Sequence, residues 1–292
     1  MDDIAKIGSK GGGPSLTAYG RTRVKISDIM EPDERSKCLI FINGEETTEQ
    51  AKTTYYVFSQ LVSMLKQSIT VHIHHDFDLP VGCGYGASGC GALGVAFGLN
   101  FLLNIGLSYN ETGKIAHIAE VMNKTGLGTV GGQLTGGLSI TTTAGFPFEL
   151  DRILTPPDLK IVCGSFGPIP TESIIGDPEH KERIKNAGAW AMNKLMSFPT
   201  HQRFIEISRE FVNRIGLLDG ETMKNTRDLI NDLNNGDSGI LGASMNQLGR
   251  SVYCFCEDSV EGDVLSIFKS YSSLISLKSL EICNTGPLFA NR

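Results

Sequence analysis

Residues 79–94, LPVGCGYGASGCGALG, place six glycines in sixteen positions and run straight into an apolar stretch. No other segment constrains the fold as tightly. A glycine-rich turn feeding a helix exposes backbone N–H groups at the helix N-terminus, and their partial positive charge suits phosphate. The preceding ITVHIHHDF (69–77) alternates as a strand, with Val71 and Ile73 on one side and His72 and His74 on the other. The run His72, His74 and His75 reads as the exposed side of that strand, without a second ligand cluster that would make a metal site. After the turn a buried helix is expected from about Gly89 to Asn104.

The stretch Gly84-Tyr85-Gly86-Ala87-Ser88-Gly89 satisfies GxGxxG. A dinucleotide-binding unit would next need a second parallel strand ending in an acid about 20 residues on. Helix follows helix instead, and no such acid occurs. A Walker-type loop needs Lys-Ser or Lys-Thr after its glycines. NKTGLGT (123–129) has its Lys-Thr before them, so that loop is excluded as well. From the residues alone, a structural turn with glycines for tight packing stays open.

With 292 residues, 40% of them hydrophobic, the chain can bury a sizeable core in one large domain or two ordinary ones. Net charge is −6 and no Lys/Arg block occurs, which argues against nucleic acid as a partner. Cys38, Cys83, Cys90, Cys163, Cys254, Cys256 and Cys283 are odd in number and never spaced as CxxC. That pattern suits buried thiols in a reducing cytoplasm better than disulfides or zinc. MDDIAKIGSKGGGP lacks the apolar core of a signal peptide. CGALGVAFGLNFLLNIGL (90–107) nears membrane-spanning length, but Asn100, Asn104 and four glycines interrupt it. A buried helix is the better reading, and no membrane partner is expected.

Strands are expected at 22–29 and 37–44, and a threonine-opened helix at 47–66. A second helix spans Asn110–Lys124, with Ile115, Ile118, Ala119 and Met122 on one face. His117, Glu120 and Lys124 lie opposite, where a solvated face is the ordinary reading. GGLSITTT (136–143) reads as a strand. The Pro-Pro pair in ELDRILTPPDLK marks a boundary, giving domains 1–150 and 151–292. Beyond it come a strand in LKIVCGSF, three helical stretches between Pro178 and Asn235, a strand in RSVYCFCE, a helix in EGDVLSIFKSYSSL and a closing strand in SLEICNTG. Interleaving without a regular βαβ repeat points to an α+β chain in two domains.

PVGCGYGASGCGALG resembles the second motif of the GHMP kinase superfamily, and the chain is most similar to that superfamily's archaeal pantoate kinase group. GSKGGG (8–13) looks like that group's early GSRGAG. AHIAEVMNKTGLGTVGGQLTGG (116–137) is similar to its stretch between a helix and the next strand, and GASMNQLGRSVYCF (242–255) to its C-terminal glycine-bearing segment. The four matches are co-linear and cover most of the chain.

The resemblance implies a two-domain GHMP kinase fold, with an N-terminal domain like ribosomal protein S5 domain 2 and a ferredoxin-like C-terminal domain. It implies an ATP- and Mg²⁺-dependent kinase acting on a small hydroxy acid, foremost pantoate, in coenzyme A biosynthesis. Pro80, Gly82, Gly84, Gly86, Ala87, Ser88 and Gly89 would then hold the nucleotide phosphates, Ser88 and Glu120 the metal. Glu120 and His117 are the implied catalytic pair, and Ser9, His117 and Thr171 the implied substrate contacts. A homodimer is left open. Three departures stand out. The strand with a Pro-Gly-His-type motif expected before GSKGGG has no room after Met1, which suggests a misassigned start or a lost sheet edge. Thr129 stands where the family carries an aspartate viewed as acid/base, and Thr141 where an arginine would clamp a carboxylate. These losses keep a second reading alive, a weakened paralogue that binds nucleotide or metabolite and regulates.

Overall fold

The computed structural model describes residues 2–31, 34–169, 178–236, 238–247 and 249–290. In chain order its elements begin α1 (Asp2–Ala5), β1 (Gly11–Pro14), β2 (Gly20–Met30), β3 (Lys37–Ile42), β4 (Glu45–Glu46), α2 (Lys52–Val62) and β5 (Ser68–Phe77). Next come α3 (Ala87–Leu102), α4 (Tyr109–Asn123), α5 (Thr129–Thr135), β6 (Leu138–Thr143), β7 (Glu149–Ile153) and β8 (Leu159–Pro168). The C-terminal part adds α6 (Pro178–Ser197), α7 (His201–Ile215), α8 (Lys224–Asn234), β9 (Ile240–Met245), β10 (Gly249–Glu257), α9 (Glu261–Lys269) and β11 (Ser276–Leu280).

These strands form three sheets, ordered β2-β5-β3-β4, β1-β6-β7 and β11-β8-β10-β9. Among the described residues only β3 and β5 pair in parallel; the other strand pairs are antiparallel. The α+β expectation holds, and the sheets position the glycine turn at the end of a central strand. Ile40, Val71 and Ile73 from the first sheet and Val57, Leu61 and Leu99 from α2 and α3 are fully buried together. Burying one such aliphatic side chain contributes about 1.5–3 kcal/mol. In the third sheet both faces are covered: Val162, Cys254 and Cys256 enter one core, and Ile161, Cys163 and Phe255 the other. Leu138, Ile140 and Ile153 join that second core from β6 and β7. Residue 150 falls inside β7.

Helix α3 is the segment with near-spanning length, and its glycines are its packing face. A Cβ on Gly91 would lie 3.2 Å from Cε1 of His75, and one on Gly98 2.8 Å from Cγ2 of Val24. A Cβ on Gly94 would run into Thr22. The glycines at positions 91, 94 and 98 recur at helical spacing, so bare backbone rests on β2 and β5. Among the described residues no helix is long and apolar enough to cross a membrane.

Several expectations need correction. His75 is not on the exposed side of its strand; it is 1% exposed, because α2 and α3 cover that position. Its Nδ1 meets Thr22 Oγ1 at 2.9 Å and its Nε2 meets Thr54 Oγ1 at 3.1 Å. His117 and Glu120 are not on a solvated face either. Both are 2% exposed, while Met122, expected in the core, is 48% exposed. The burial stripe of α4 is therefore rotated from the one the aliphatic residues suggest. Helix α2 starts at Lys52 because Thr47 is held back by its N–H on the Ile40 carbonyl. The closing strand is Ser276–Leu280, earlier than SLEICNTG.

The residues after β11 return to the N-terminal half. Thr17 N–H donates to the Glu281 carbonyl, Cys283 N–H to Ser15, and Gly137 N–H to Cys283. Gly286 packs against the Leu134 carbonyl, at the end of α5.

Candidate active site

The glycine loop leaves β5 at Phe77 and is pinned at both ends. Asp78 accepts a hydrogen bond from Tyr19 N–H at 2.9 Å and from Arg21 Nη1 at 2.7 Å. The Arg21 guanidinium holds the Asp78 carboxyl below its usual range. At the other end Tyr85 is driven into the third sheet, its hydroxyl 2.9 Å from Ser165 Oγ, which also accepts from Ser251. Burial pushes the Tyr85 phenol well above its ordinary value.

Between those anchors Pro80 leads a turn in which Gly82, Gly84 and Gly86 take φ of +79°, +84° and +71°. L-residues with a Cβ rarely adopt such angles, which reserves these three positions for glycine. Gly86 then serves as the N-cap of α3, without a side-chain cap and without an acid in the first turn. The first helical hydrogen bond runs from Cys90 N–H to the Gly86 carbonyl, so the N–H groups of Ala87, Ser88 and Gly89 have no partner within the helix. The end of α3 is thus electrically positive and suited to an anion.

Glu120 of α4 meets this end. The Ser88 hydroxyl lies near enough to Glu120 to favour its charged form, and Thr125 Oγ1 donates to its Oε1 at 2.6 Å. Burial pushes the Glu120 carboxyl up, and the two hydroxyl donors pull part of the way back. A bare Cα at Gly126 leaves room for Oε2, which a Cβ there would displace. Thr129, at the start of α5, closes in on Gly86: a Cβ on Gly86 would stand 2.5 Å from Thr129 Cγ2. Ser9 lies alongside, its N–H donating to the Leu127 carbonyl at 2.9 Å and its Oγ 2.7 Å from where a Cβ on Gly128 would be.

The structure therefore brings Gly84, Gly86, Ala87, Ser88, Gly89 and Glu120 together, with Ser9 beside the neighbouring turn. His117 is different. Its Nε2 is 2.9 Å from the Ile7 carbonyl, and its ring stands edge-on to Phe148 at 5.7 Å. Burial lowers its pKa while the backbone carbonyls oppose that shift. This is the geometry of a strut for the N-terminal segment, not of a free acid or base. Thr171 lies outside the described residues. Thr141 is buried in β6, opposite Gly11 of β1. Sequence reasoning missed Tyr85, Thr125 and Gln133. Of these only Gln133 carried a signal, four residues after Thr129 and so on the same side of α5.

The family model for the GHMP kinases N terminal domain matches residues 52–137, from the start of α2 past the end of α5. Fold and site together have the form of a GHMP kinase. A pantoate kinase of Thermococcus kodakarensis is 33% identical over 260 residues, 88% of this chain and 82% of its own length. One from Methanocaldococcus jannaschii is 35% identical over 193 residues, 66% of this chain and 67% of its own. A solved structure described as a phosphotransferase related to the CoA biosynthesis pathway superposes with a TM-score of 0.82 at 27% identity, covering 98% of this chain and 91% of its own. This chain belongs to the pantoate kinase family.

Proposed function

We propose that this chain transfers the γ-phosphoryl group of ATP to the primary hydroxyl of pantoate, with Mg²⁺ as the required ion. The observation that carries the reading is the meeting of the uncapped N-terminus of α3 with the Ser88–Glu120 pair. The donor set fits Mg²⁺, which favours oxygen ligands and keeps waters and phosphate oxygens around it. Among the described residues no group of three or more His, Cys, Asp or Glu side chains forms a metal cage. Glu120 is buried and burial disfavours its charge, a cost that a bound cation would offset.

When bound, the ion neutralises charge on the phosphoryl oxygens. The chain does the rest. The loop from Gly82 to Gly89 grips the phosphates, Ser88 and Glu120 fix the ion, and Thr125 holds the Glu120 carboxylate. Thr129 offers a hydroxyl where a carboxylate would accept the substrate's proton. Phosphoryl transfer passes through a loose transition state dominated by positioning and charge neutralisation. Lack of a base slows it by about 10²–10⁴ without abolishing it. The division into domains 1–150 and 151–292 is part of this proposal.

Thr129 is also the observation that favours the second reading, a nucleotide-binding regulator. ATP consumption measured with pantoate, mevalonate and homoserine in turn separates the two. Turnover with pantoate alone supports the kinase. Nucleotide affinity with no turnover on any hydroxy acid overturns it in favour of the regulator.

A further inference from the structure

Gln133 has no part in the reading above, yet it touches both halves of the site. Its Nε2 donates to the carbonyl of Gly86 at 2.9 Å, where the glycine loop ends and α3 begins. A carbonyl accepts only from the NH₂ end of the amide, so this bond fixes which way the side chain faces. The other end, Oε1, is buried and has no hydrogen-bond partner. It is aimed at the first turn of α3: a Cβ on Gly89 would lie 2.9 Å from Oε1 of Gln133 and 3.4 Å from Oε2 of Glu120. A buried acceptor left without a donor is unfavourable, and such atoms in native structures call for an explanation such as an ion or water. The neighbours do not supply the donor. An ionised Glu120 carboxylate only accepts, and the Thr125 hydroxyl is directed to it rather than to Gln133.

We propose that Gln133 is a positioning residue with two ends: its N–H fixes the glycine loop through Gly86, and its Oε1 accepts a hydrogen bond from a water of the hydrated Mg²⁺ held by Ser88 and Glu120. This rests on the metal reading given above. Mg²⁺ sheds its waters reluctantly, and each is a strong donor whose orientation an amide oxygen sets. Thr129 shares this side of α5 but offers only a methyl group toward Gly86. The amide one turn on is therefore the polar group that α5 turns toward Gly86 and the start of α3.

Calorimetric titration with a non-hydrolysable ATP analogue, with and without Mg²⁺, tests this on the whole protein. The readout is the gain in affinity that Mg²⁺ brings. In Gln133→Met, which keeps length and loses both hydrogen bonds, that gain falls about 10–100-fold, as expected for a lost outer-sphere contact. In Gln133→Glu, which keeps an acceptor oxygen and loses the donor to Gly86, the gain persists while metal-free binding weakens. Equal weakening with and without Mg²⁺ in Gln133→Met reduces Gln133 to a support for the loop and overturns the proposal. So does loss of the Mg²⁺ gain in Gln133→Glu. Melting curves check folding, and if Gln133→Met does not fold, Gln133→Glu decides alone. Glu120→Gln separates the two levels. If it leaves the Mg²⁺ gain intact, the metal reading itself fails. If it abolishes the gain while Gln133→Met does not, only the role of Gln133 fails.

Discussion

Gly249 and Cys83 meet backbone to backbone: a Cβ on Gly249 would run into the Cys83 carbonyl. The turn between β9 and β10 is thereby seated directly on the glycine loop, and Gly84 lies just as close, 2.7 Å from the Gln247 carbonyl at the position of its missing Cβ. The C-terminal sheet thus sets the height of the loop.

Gly249→Ala is expected to force the two backbones apart. Overpacking of this kind costs about 1–3 kcal/mol. Urea denaturation should register the loss, and KM for ATP should rise because the loop's N–H groups are re-aimed. Unchanged KM together with unchanged stability would show that the turn and loop are not coupled.

Ser88→Ala and Glu120→Gln should each lower kcat by about 10²–10³, the scale of a lost electrostatic contact at a transition state. The double variant should lose little more, since one ion is not lost twice. Glu120 makes a further prediction without the metal. Its folded pKa is raised, so the stability tied to it is present below the ordinary carboxylate range and lost as pH rises through the raised value. Metal-free Glu120→Gln should therefore melt higher than the parent at neutral pH, with the difference closing near about pH 4.

Thr129→Asp should restore a proton acceptor at the start of α5, where a carboxylate also suits the helix N-terminus. If proton removal limits the rate, kcat rises by up to about a hundredfold. KM for ATP should move much less, because the loop holds the phosphates. The new carboxylate repels Glu120, so one of the two protonates at low pH. A rate profile from about pH 6 to 9 should show the gain growing as the new acid ionises. A flat profile at the parental rate would count against Thr129 as the site of the lost base.

His75 links β2, β5 and α2 as a neutral ring, and burial brings its pKa down to about 4. Unfolding restores the ordinary value near 6.5, so the unfolded chain binds one more proton between those limits. Stability should fall as pH drops from about 6.5 to 4, by about 3 kcal/mol in all at this site. Melting temperature against pH measures it. His75→Gln should flatten that limb while lowering stability at pH 7, and an unflattened limb would remove His75 as its source.

The glycine loop, the strand before it and the helix after it were legible because each writes a local pattern. β5 alternates, the loop concentrates glycine, and α3 is apolar. Ser88 and Glu120 were legible through motif resemblance, and the structure brings them together. What failed was orientation. Glu120 and His117 looked exposed because α4 has an aliphatic stripe elsewhere, yet the face carrying them is covered by α1 and the Thr125 turn. His75 looked exposed by its neighbours His72 and His74, but period-two alternation puts it with Val71 and Ile73. β1 was missed because GGGP has no strand propensity. It is ordered by its pairing with Leu138–Thr141, a contact over a hundred residues distant that no local window contains.

The return of residues 281–286 to Ser15–Thr17 and to the end of α5 has a consequence for how the protein is made. Gly137 and Thr17 receive their backbone partners only from residues synthesised about 150 and 260 positions later. On the ribosome, at about 5–20 residues per second, α5 emerges roughly 7–30 seconds before the segment that returns to it. Through that interval Tyr109 already holds the Leu134 carbonyl of α5, but the Gly137 N–H just beyond the helix bearing Thr129 and Gln133 lacks its partner. Nascent chains stalled before residue 281 should therefore capture nucleotide less firmly than released ones, which makes the moment of activation a property of translation.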